Sequence, residues 1–460
     1  MTNGSPIQEK SMREHFRATL ILGLPLVGAQ LAQMMVNVTD TIMLGWLGTE
    51  ELAAGTLAFQ TLFILLIFGL GFGAAMMPLI AGALGSDDTR AVRRASRMGL
   101  WALLALSLLF QIPLWFTKDF LLLLGQQENL AELAQAYMRF AQWSLIPAFV
   151  VIGLRSILTS FEKANAVLIT TLIAVVLNGL LNYALIFGNF GAPRLEMVGA
   201  GIATTISTTI TTLIVIVYVL RVDVAKPYEM FVRLWRPDWF ALKEIVYLGL
   251  PISLTIFAEA GLFSAASVMI GWIGTIELAA HGIALQVASI AFMVPLGFAQ
   301  AGSVRVGNAL GRKNFIDVGR AGYITLIIAV VFSLFSAVIF ILIPERLVAI
   351  FIDFENIDAQ QVVLAAVPLI WVAAAFQLVD SVQAVAGGAL RGLKDTKIPM
   401  YIATFSYWGV GLGVGYVLAF PTEFGAAGVW TGLASGLAVA AIALTYRFIF
   451  REKLGLLAKG

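Results

Sequence analysis

The sequence predicts an all-α polytopic membrane protein, with twelve transmembrane helices in two parallel six-helix repeats. Composition, an internal duplication and a charge asymmetry predict it. The 460 residues are 60% hydrophobic and only 12% charged. A soluble domain carries about 25% charged residues, so this chain cannot present a wetted surface all round. Apolar runs fall near 17–45, 52–82, 96–117, 133–158, 166–188 and 198–220, then near 245–273, 278–305, 319–343, 360–388, 398–420 and 426–449. Each reaches the roughly 20 residues that cross the hydrocarbon. In lipid they must be helices, because an open strand leaves its backbone unpaired. The basic stretch Lys10, Arg13 and Arg17 precedes an apolar run longer than the roughly 7–15 residues of a signal-peptide core. It reads as the first helix, retained.

The duplication is read directly from the residues. Leu22–Gly85 aligns without a gap on Leu248–Gly311. About 24 of these 64 pairs are identical, where about five would be expected by chance. Pro25 pairs with Pro251, Trp46 with Trp272, Glu51 with Glu277, Gln60 with Gln286 and Phe72 with Phe298. Duplicated transmembrane halves are a common way to build secondary transporters, with the substrate site at the repeat interface. The expected division is an N-lobe over 1–222, a cytoplasmic linker over 223–244 and a C-lobe over 245–460.

Charge fixes the direction. With twelve spans, 25 of the 29 Lys and Arg fall on the side that holds both termini. Only Lys118, Arg139, Arg194 and Arg346 fall on the other. The rich side is expected to be cytoplasmic. An even number of spans per half makes the repeats parallel, related by a pseudo-two-fold along the membrane normal. The expected location is a bacterial inner membrane.

Ionisable groups within spans are costly and mark ion or substrate pathways by default. Asp40 lies in the first span, Glu259 in the seventh and Asp380 in the tenth. Gln377 and Gln383 flank Asp380 at i±3, on one helix face. The duplication sharpens the choice. Asp40 stands opposite Ala266 and Glu259 opposite Gln33, so the repeated architecture alone does not require these acids. The bland alternative is a carboxylate that ties helices together. Asn178 and Asn182, four residues apart, share a face of the fifth span. They serve either as interhelical hydrogen-bonding groups or as part of a polar cluster with Asp40. His281, opposite Gly55, reads as an interfacial residue rather than a proton relay. Pro25 and Pro251 interrupt their helices at equivalent places, as fixed kinks or as responsive bends.

Several chemistries are excluded. Absent cysteine removes disulfides and thiolate metal sites. No zinc-protease motif, P-loop or nucleophile elbow is present, so no enzyme and no cofactor is expected. The net charge of +2 leaves no nucleic-acid footprint. Asp87 and Asp88, beside Arg90, Arg93 and Arg94, read as a solvated cytoplasmic turn.

Taken together, Val-Thr-Asp-Thr-Ile-Met-Leu-Gly around Asp40, Leu-Asn-Gly-Leu-Leu-Asn-Tyr around Asn178 and Asn182, Val-Gly-Ala-Gly-Ile-Ala around Gly199 and Gly201, Phe-Ala-Glu at Glu259, and Gln-Leu-Val-Asp-Ser-Val-Gln with Gly-Ala-Leu-Arg-Gly-Leu-Lys-Asp-Thr-Lys, carrying Asp380, Arg391 and Asp395, are specific. With the twelve spans, they resemble the multidrug and toxic compound extrusion (MATE) family, in its NorM-like bacterial branch, over essentially the whole chain. The resemblance implies two six-helix lobes around a central cavity. It also implies export of amphipathic organic cations against inward flow of Na⁺ or H⁺. By the same resemblance Glu259 and Asp380 would form the C-lobe cation site, and would be the ligands if Na⁺ is the ion. Asp40, Asn178 and Asn182 would form the N-lobe cluster, with Asp40 also a coupling group. Gln33, Gln286, Gln377, Gln383 and Phe376 are candidates for the cavity wall. NorM-type members can carry tyrosine where this chain has Phe376, which offers no oxygen to Na⁺. The expected partners are small cationic amphiphiles, a monovalent cation and the lipid bilayer, with the protein a monomer. A flippase for lipid-linked sugars is the nearest rival reading, and an intramembrane transferase or a channel is more remote.

Overall fold

The computed structural model describes residues 11–352 and 359–459, with side chains through residue 457. Lys10, counted for orientation above, lies outside the described residues. Among the described residues, twelve helices are long and apolar enough to cross a membrane. In order they are α1 (Met12–Leu47), α2 (Thr49–Gly85), α3 (Thr89–Trp115), α4 (Glu128–Ser160), α5 (Ala164–Phe187) and α6 (Glu196–Arg221). Then come α7 (Trp239–Gly271), α8 (Thr275–Gly311), α9 (Phe315–Leu342), α10 (Ala359–Gly392), α11 (Lys397–Ala419) and α12 (Gly425–Ile449). Among the described residues there is no strand.

The count matches the sequence reading, but several helices overrun it. α2 and α8 each have 37 residues, about 55 Å of helix against roughly 30 Å of hydrocarbon. Their ends are polar, so hydropathy stopped short of them. α7 begins at Trp239, not 245, and the connection from α6 is correspondingly shorter. The duplication reaches local detail as well. The Asp88 carboxylate caps α3 by accepting from the Ala91 amide at 2.9 Å. Its repeat equivalent Asn314 caps α9 by accepting from the Asp317 amide at 3.0 Å. Both side chains satisfy amides that a helix start leaves open.

The chain divides into two compact units, one comprising Met1–Val27 with Leu254–Gly460 and the other Gly28–Ser253. The division falls inside α1 and α7, two residues after Pro25 and Pro251. It differs from a boundary at the linker, because a duplicated sequence shows which segments are alike, not which neighbours they pack on. In the first unit, the opening half of α1 lies on α8. Gly23 faces the Phe298 ring, and Gly297 faces Val27. In the second, the opening half of α7 lies on α2. Gly249 faces Phe72, and Gly71 faces Ser253. These are the same two contacts transposed through the repeat. A Cβ on Gly297 would stand 2.7 Å from the Val27 amide nitrogen, closer than real Cβ atoms come. Gly297→Ala should therefore destabilise the protein by about 1–3 kcal/mol through overpacking. Gly282→Ala on the same helix, where nothing lies within 4 Å, should be neutral or stabilising. Thermal unfolding in detergent compares the two, and equal melting temperatures would refute the close-approach argument.

Within the first unit α10 is the central helix, packed on α8, α9 and α12. Its core runs through Leu262, Phe376, Tyr407, Trp430 and Leu433. At the polar end of this unit His15 is buried between two charged groups. Arg305 Nη2 donates to His15 Nδ1 at 2.9 Å, and Nε2 lies 3.1 Å from Asp317 Oδ1. A guanidinium only donates, so Nδ1 is the acceptor and Nε2 carries the proton given to Asp317. In the second unit the linker is fastened to α3. Arg93 Nε donates to the Tyr228 carbonyl at 2.9 Å, Arg97 to the Arg233 carbonyl at 3.2 Å and Trp101 to the Leu234 carbonyl at 2.7 Å. Arg94 pairs with Asp238. Burial pushes the Asp238 carboxyl up, but the Arg94 and Ala241 hydrogen bonds and the Arg97 charge outweigh it and hold it below the usual carboxylate range. Arg93, Arg94 and Arg97 thus clasp the linker, while Asp87, Asp88 and Arg90 are exposed, as a solvated turn requires.

Candidate functional site

Two clusters of polar side chains lie within the spans, one in each unit. In the Gly28–Ser253 unit, Asp40 on α1 meets α5. Asn182 Nδ2 donates to Asp40 Oδ1 at 2.5 Å and lies 3.3 Å from Asn178 Oδ1. Both asparagines are buried and Asp40 is half-buried. Glycine in α6 permits this. A Cβ on Gly201 would stand 2.5 Å from the Tyr137 carbonyl, and Gly199 meets the Leu185 carbonyl. Close approach of α6 to α4 and α5 brings Tyr137 within reach of Asp40 and Thr204. The sequence reading did not single out Tyr137 or Thr204. A tyrosine in an apolar span carries no signal until its neighbours are known, whereas i, i+4 asparagines do. Gln33, exposed in this unit, accepts from Arg155 Nη1 at 3.1 Å.

In the other unit α10 presents Gln377, Asp380 and Gln383, all buried, as the i±3 spacing predicts. Glu259 on α7, half-buried, lies within electrostatic reach of Asp380 and of Arg391 on the last turn of α10. Arg155 and Arg391 sit on helices, so the bases are not confined to loops. They were assigned to the cytoplasmic side from charge alone, which does not show how far a helix extends. Four polar atoms here have no hydrogen-bond partner: Gln377 Nε2, Gln377 Oε1, Asp380 Oδ1 and Gln383 Oε1. A buried polar group left unpaired costs about 1–3 kcal/mol. Phe376 points elsewhere. It packs edge-on to Trp430 at 5.4 Å and to Phe263 at 6.1 Å, inside the core of its unit. Gln286 is half-buried on α8.

His281 is buried within its unit rather than exposed at the helix start. It is 1% exposed, with Nδ1 accepting from Trp430 Nε1 at 3.1 Å and Nε2 lying 2.9 Å from Ser267 Oγ. An indole only donates, so the tautomer is fixed and both nitrogens are occupied. Its place near a helix start suggested a surface position, and the partner from α12 was not legible.

A duplicated bundle of apolar helices with carboxylates inside it is the construction of a membrane transporter. The comparisons agree with this class. The MatE family model matches residues 25–184 and 251–417, two stretches that begin at the paired prolines. The chain belongs to the MatE family. It is 48% identical over 440 residues to a probable multidrug resistance protein NorM of Rhizobium meliloti, covering 96% of this chain and 94% of that one. It is 36% identical to the multidrug resistance protein NorM of Burkholderia vietnamiensis, over 95% and 94% of the two chains. The fold is similar to that of the eukaryotic MATE transporter AtDTX14, with TM-score 0.86, 19% identity and coverage of 97% and 98%. It is also similar to a MOP superfamily transporter from Pyrococcus furiosus, described as having a binding pocket of reversed polarity. There the TM-score is 0.85, with 23% identity and 97% of each chain covered. A shared fold does not by itself fix function, which must be argued from the site.

Proposed function

We infer that this protein is a multidrug efflux antiporter of the inner membrane, exporting amphipathic organic cations in exchange for inward Na⁺ or H⁺. The observation that carries this reading is Asp380, a buried carboxylate with an unpartnered oxygen, within electrostatic reach of a second acid, Glu259. Such a pair attracts cations and resists anions. Na⁺ is a hard cation that takes oxygen ligands, and a buried carboxylate is equally able to take a proton. Either ion, arriving from outside, neutralises charge that otherwise holds a cationic drug. The drug then leaves outward and the ion later leaves inward, as in alternating access. Asp40, hydrogen-bonded by Asn182, offers a third carboxylate for proton coupling. The names of the relatives support the multidrug reading, and the lysine and arginine asymmetry supports cytoplasmic termini.

The test is ethidium efflux from vesicles with Na⁺ and pH gradients imposed separately. Efflux under either gradient is the expected result, and the effective gradient names the ion. No coupled efflux under either, with folded and inserted protein, would overturn the reading in favour of lipid-linked sugar export.

A further inference from the structure

We propose that Arg155 and Gln33, in the Gly28–Ser253 unit, form an oxyanion subsite that receives the carboxylate of zwitterionic substrates, with Asp40 holding their cationic end. This rests on the antiporter reading and widens its substrate class beyond simple cations.

Arg155 is a span arginine without a counter-charge. It lies half-buried toward the end of α4, and its Nη1 donates to Gln33 Oε1 on α1 at 3.1 Å. Its Nε is buried and has no partner. Among the described residues no carboxylate stands against it. A guanidinium carries five N–H donors in a planar fork that fits a carboxylate, so most of this one is unused. Snorkelling would carry the charged head to the membrane surface. Here it turns instead to Gln33, well inside the apolar run of α1. The helix beneath it is held in place. Ile152 and Ser156 close on Gly73 of α2, and Ser160 Oγ donates to the Met77 carbonyl at 3.2 Å.

The duplication shows what is missing. Gln33 stands opposite Glu259. In the other unit that glutamate lies within electrostatic reach of Arg391, on the fourth helix of its half. Here the fourth helix again carries an arginine, but an amide takes the place of the acid. The charge is balanced in one half and open in the other. An ionisable group in a span is costly and marks a substrate path by default.

Spacing points to the ligand. Gln33 and Asp40 are seven residues apart on α1, so they share a face and lie about 10 Å apart along the axis. Asn37, exposed, lies between them. One end of this face offers the Asp40 carboxylate, held by Asn182, and the other offers the Arg155 guanidinium. A molecule with an ammonium and a carboxylate at that separation satisfies both.

The test measures binding of 4′-(aminomethyl)biphenyl-4-carboxylate and of its methyl ester to purified protein by calorimetry. The rigid biphenyl holds amine and carboxylate about as far apart as Asp40 and Gln33. The wild-type protein should bind the acid about tenfold more tightly than the ester, the worth of one charge-assisted hydrogen bond. Arg155→Gln should remove that preference. If it does not fold, Arg155→Lys replaces it, and should lose most of the preference because an ammonium lacks the planar fork. Equal affinity for acid and ester in the wild-type protein overturns the proposal. So does an undiminished preference in a folded variant, which would make Arg155 structural. Competition against the acid by phosphatidylglycerol in wild type but not in Arg155→Gln would give the subsite to a lipid phosphate and overturn the substrate assignment. Ethidium carries no carboxylate and separates this proposal from the antiporter reading. Gradient-driven ethidium efflux without an acid preference would show that only the subsite has failed. Neither efflux nor preference would show that both have failed.

Discussion

Asp380→Asn should abolish gradient-driven efflux and at the same time raise the melting temperature. The two effects have one cause. Asp380 is 3% exposed and its Oδ1 has no hydrogen-bond partner, with a second carboxylate nearby. A folded protein does not keep an under-satisfied buried charge for its own stability. The amide has the same shape and brings two donors to an acceptor-rich cluster, which includes Gln377 Oε1 and Gln383 Oε1. We expect a gain of about 1–3 kcal/mol in stability. Coupled efflux should fall by about 100-fold or more, because an amide neither takes up a proton nor supplies a full charge to a cation. Glu259→Gln should also lose coupling, with a smaller change in stability, because Glu259 is half-buried and lies near Arg391. Ethidium efflux and thermal unfolding on the same preparations provide the check. Full efflux in both variants would remove the acids from the mechanism, and a large drop in melting temperature for Asp380→Asn would make Asp380 a structural residue.

His15→Ala should detach the opening half of α1 from its unit. The imidazole joins Arg305 to Asp317 inside the protein, and His15, Arg305 and Asp317 are 1%, 6% and 0% exposed. Removing the middle of a buried charged chain leaves both ends with reduced satisfaction, which typically costs about 3–5 kcal/mol. Arg312 Nη2, 3.5 Å from Asp317 Oδ2, recovers part of this at most. The loss should be local. Hydrogen exchange should accelerate across residues 12–27 and hardly change across 28–47, because the two stretches belong to different compact units. A double-mutant cycle with Asp317→Asn should show strong coupling. Uniform acceleration along α1, or none, would contradict the assignment of its first half to the Leu254–Gly460 unit. This experiment separates a mechanical role for α1 from the chemistry of Asp40 on the same helix.

The twelve spans, the duplication and the intramembrane acids are legible from the residues alone. Each is a one-dimensional signal: a run of apolar residues long enough for a bilayer, text repeated at a constant offset, and a charge where charge is costly. The i±3 and i, i+4 spacings also placed Gln377, Asp380 and Gln383 on one face of α10 and paired Asn178 with Asn182. Tertiary structure alone decided who meets whom. Periodicity gives the face of a helix but not the neighbour across it. The lodging of His15 between Arg305 and Asp317 and the partnership of His281 with Trp430 were therefore invisible, as was the clasp of Arg93 and Arg97 on the linker. The same holds for Tyr407. It reads as one more aromatic in an apolar span until its buried hydroxyl is found to accept from Gln383 Nε2. Phe376, which the family resemblance marked as a missing ligand, packs its ring edge-on to Trp430 and Phe263.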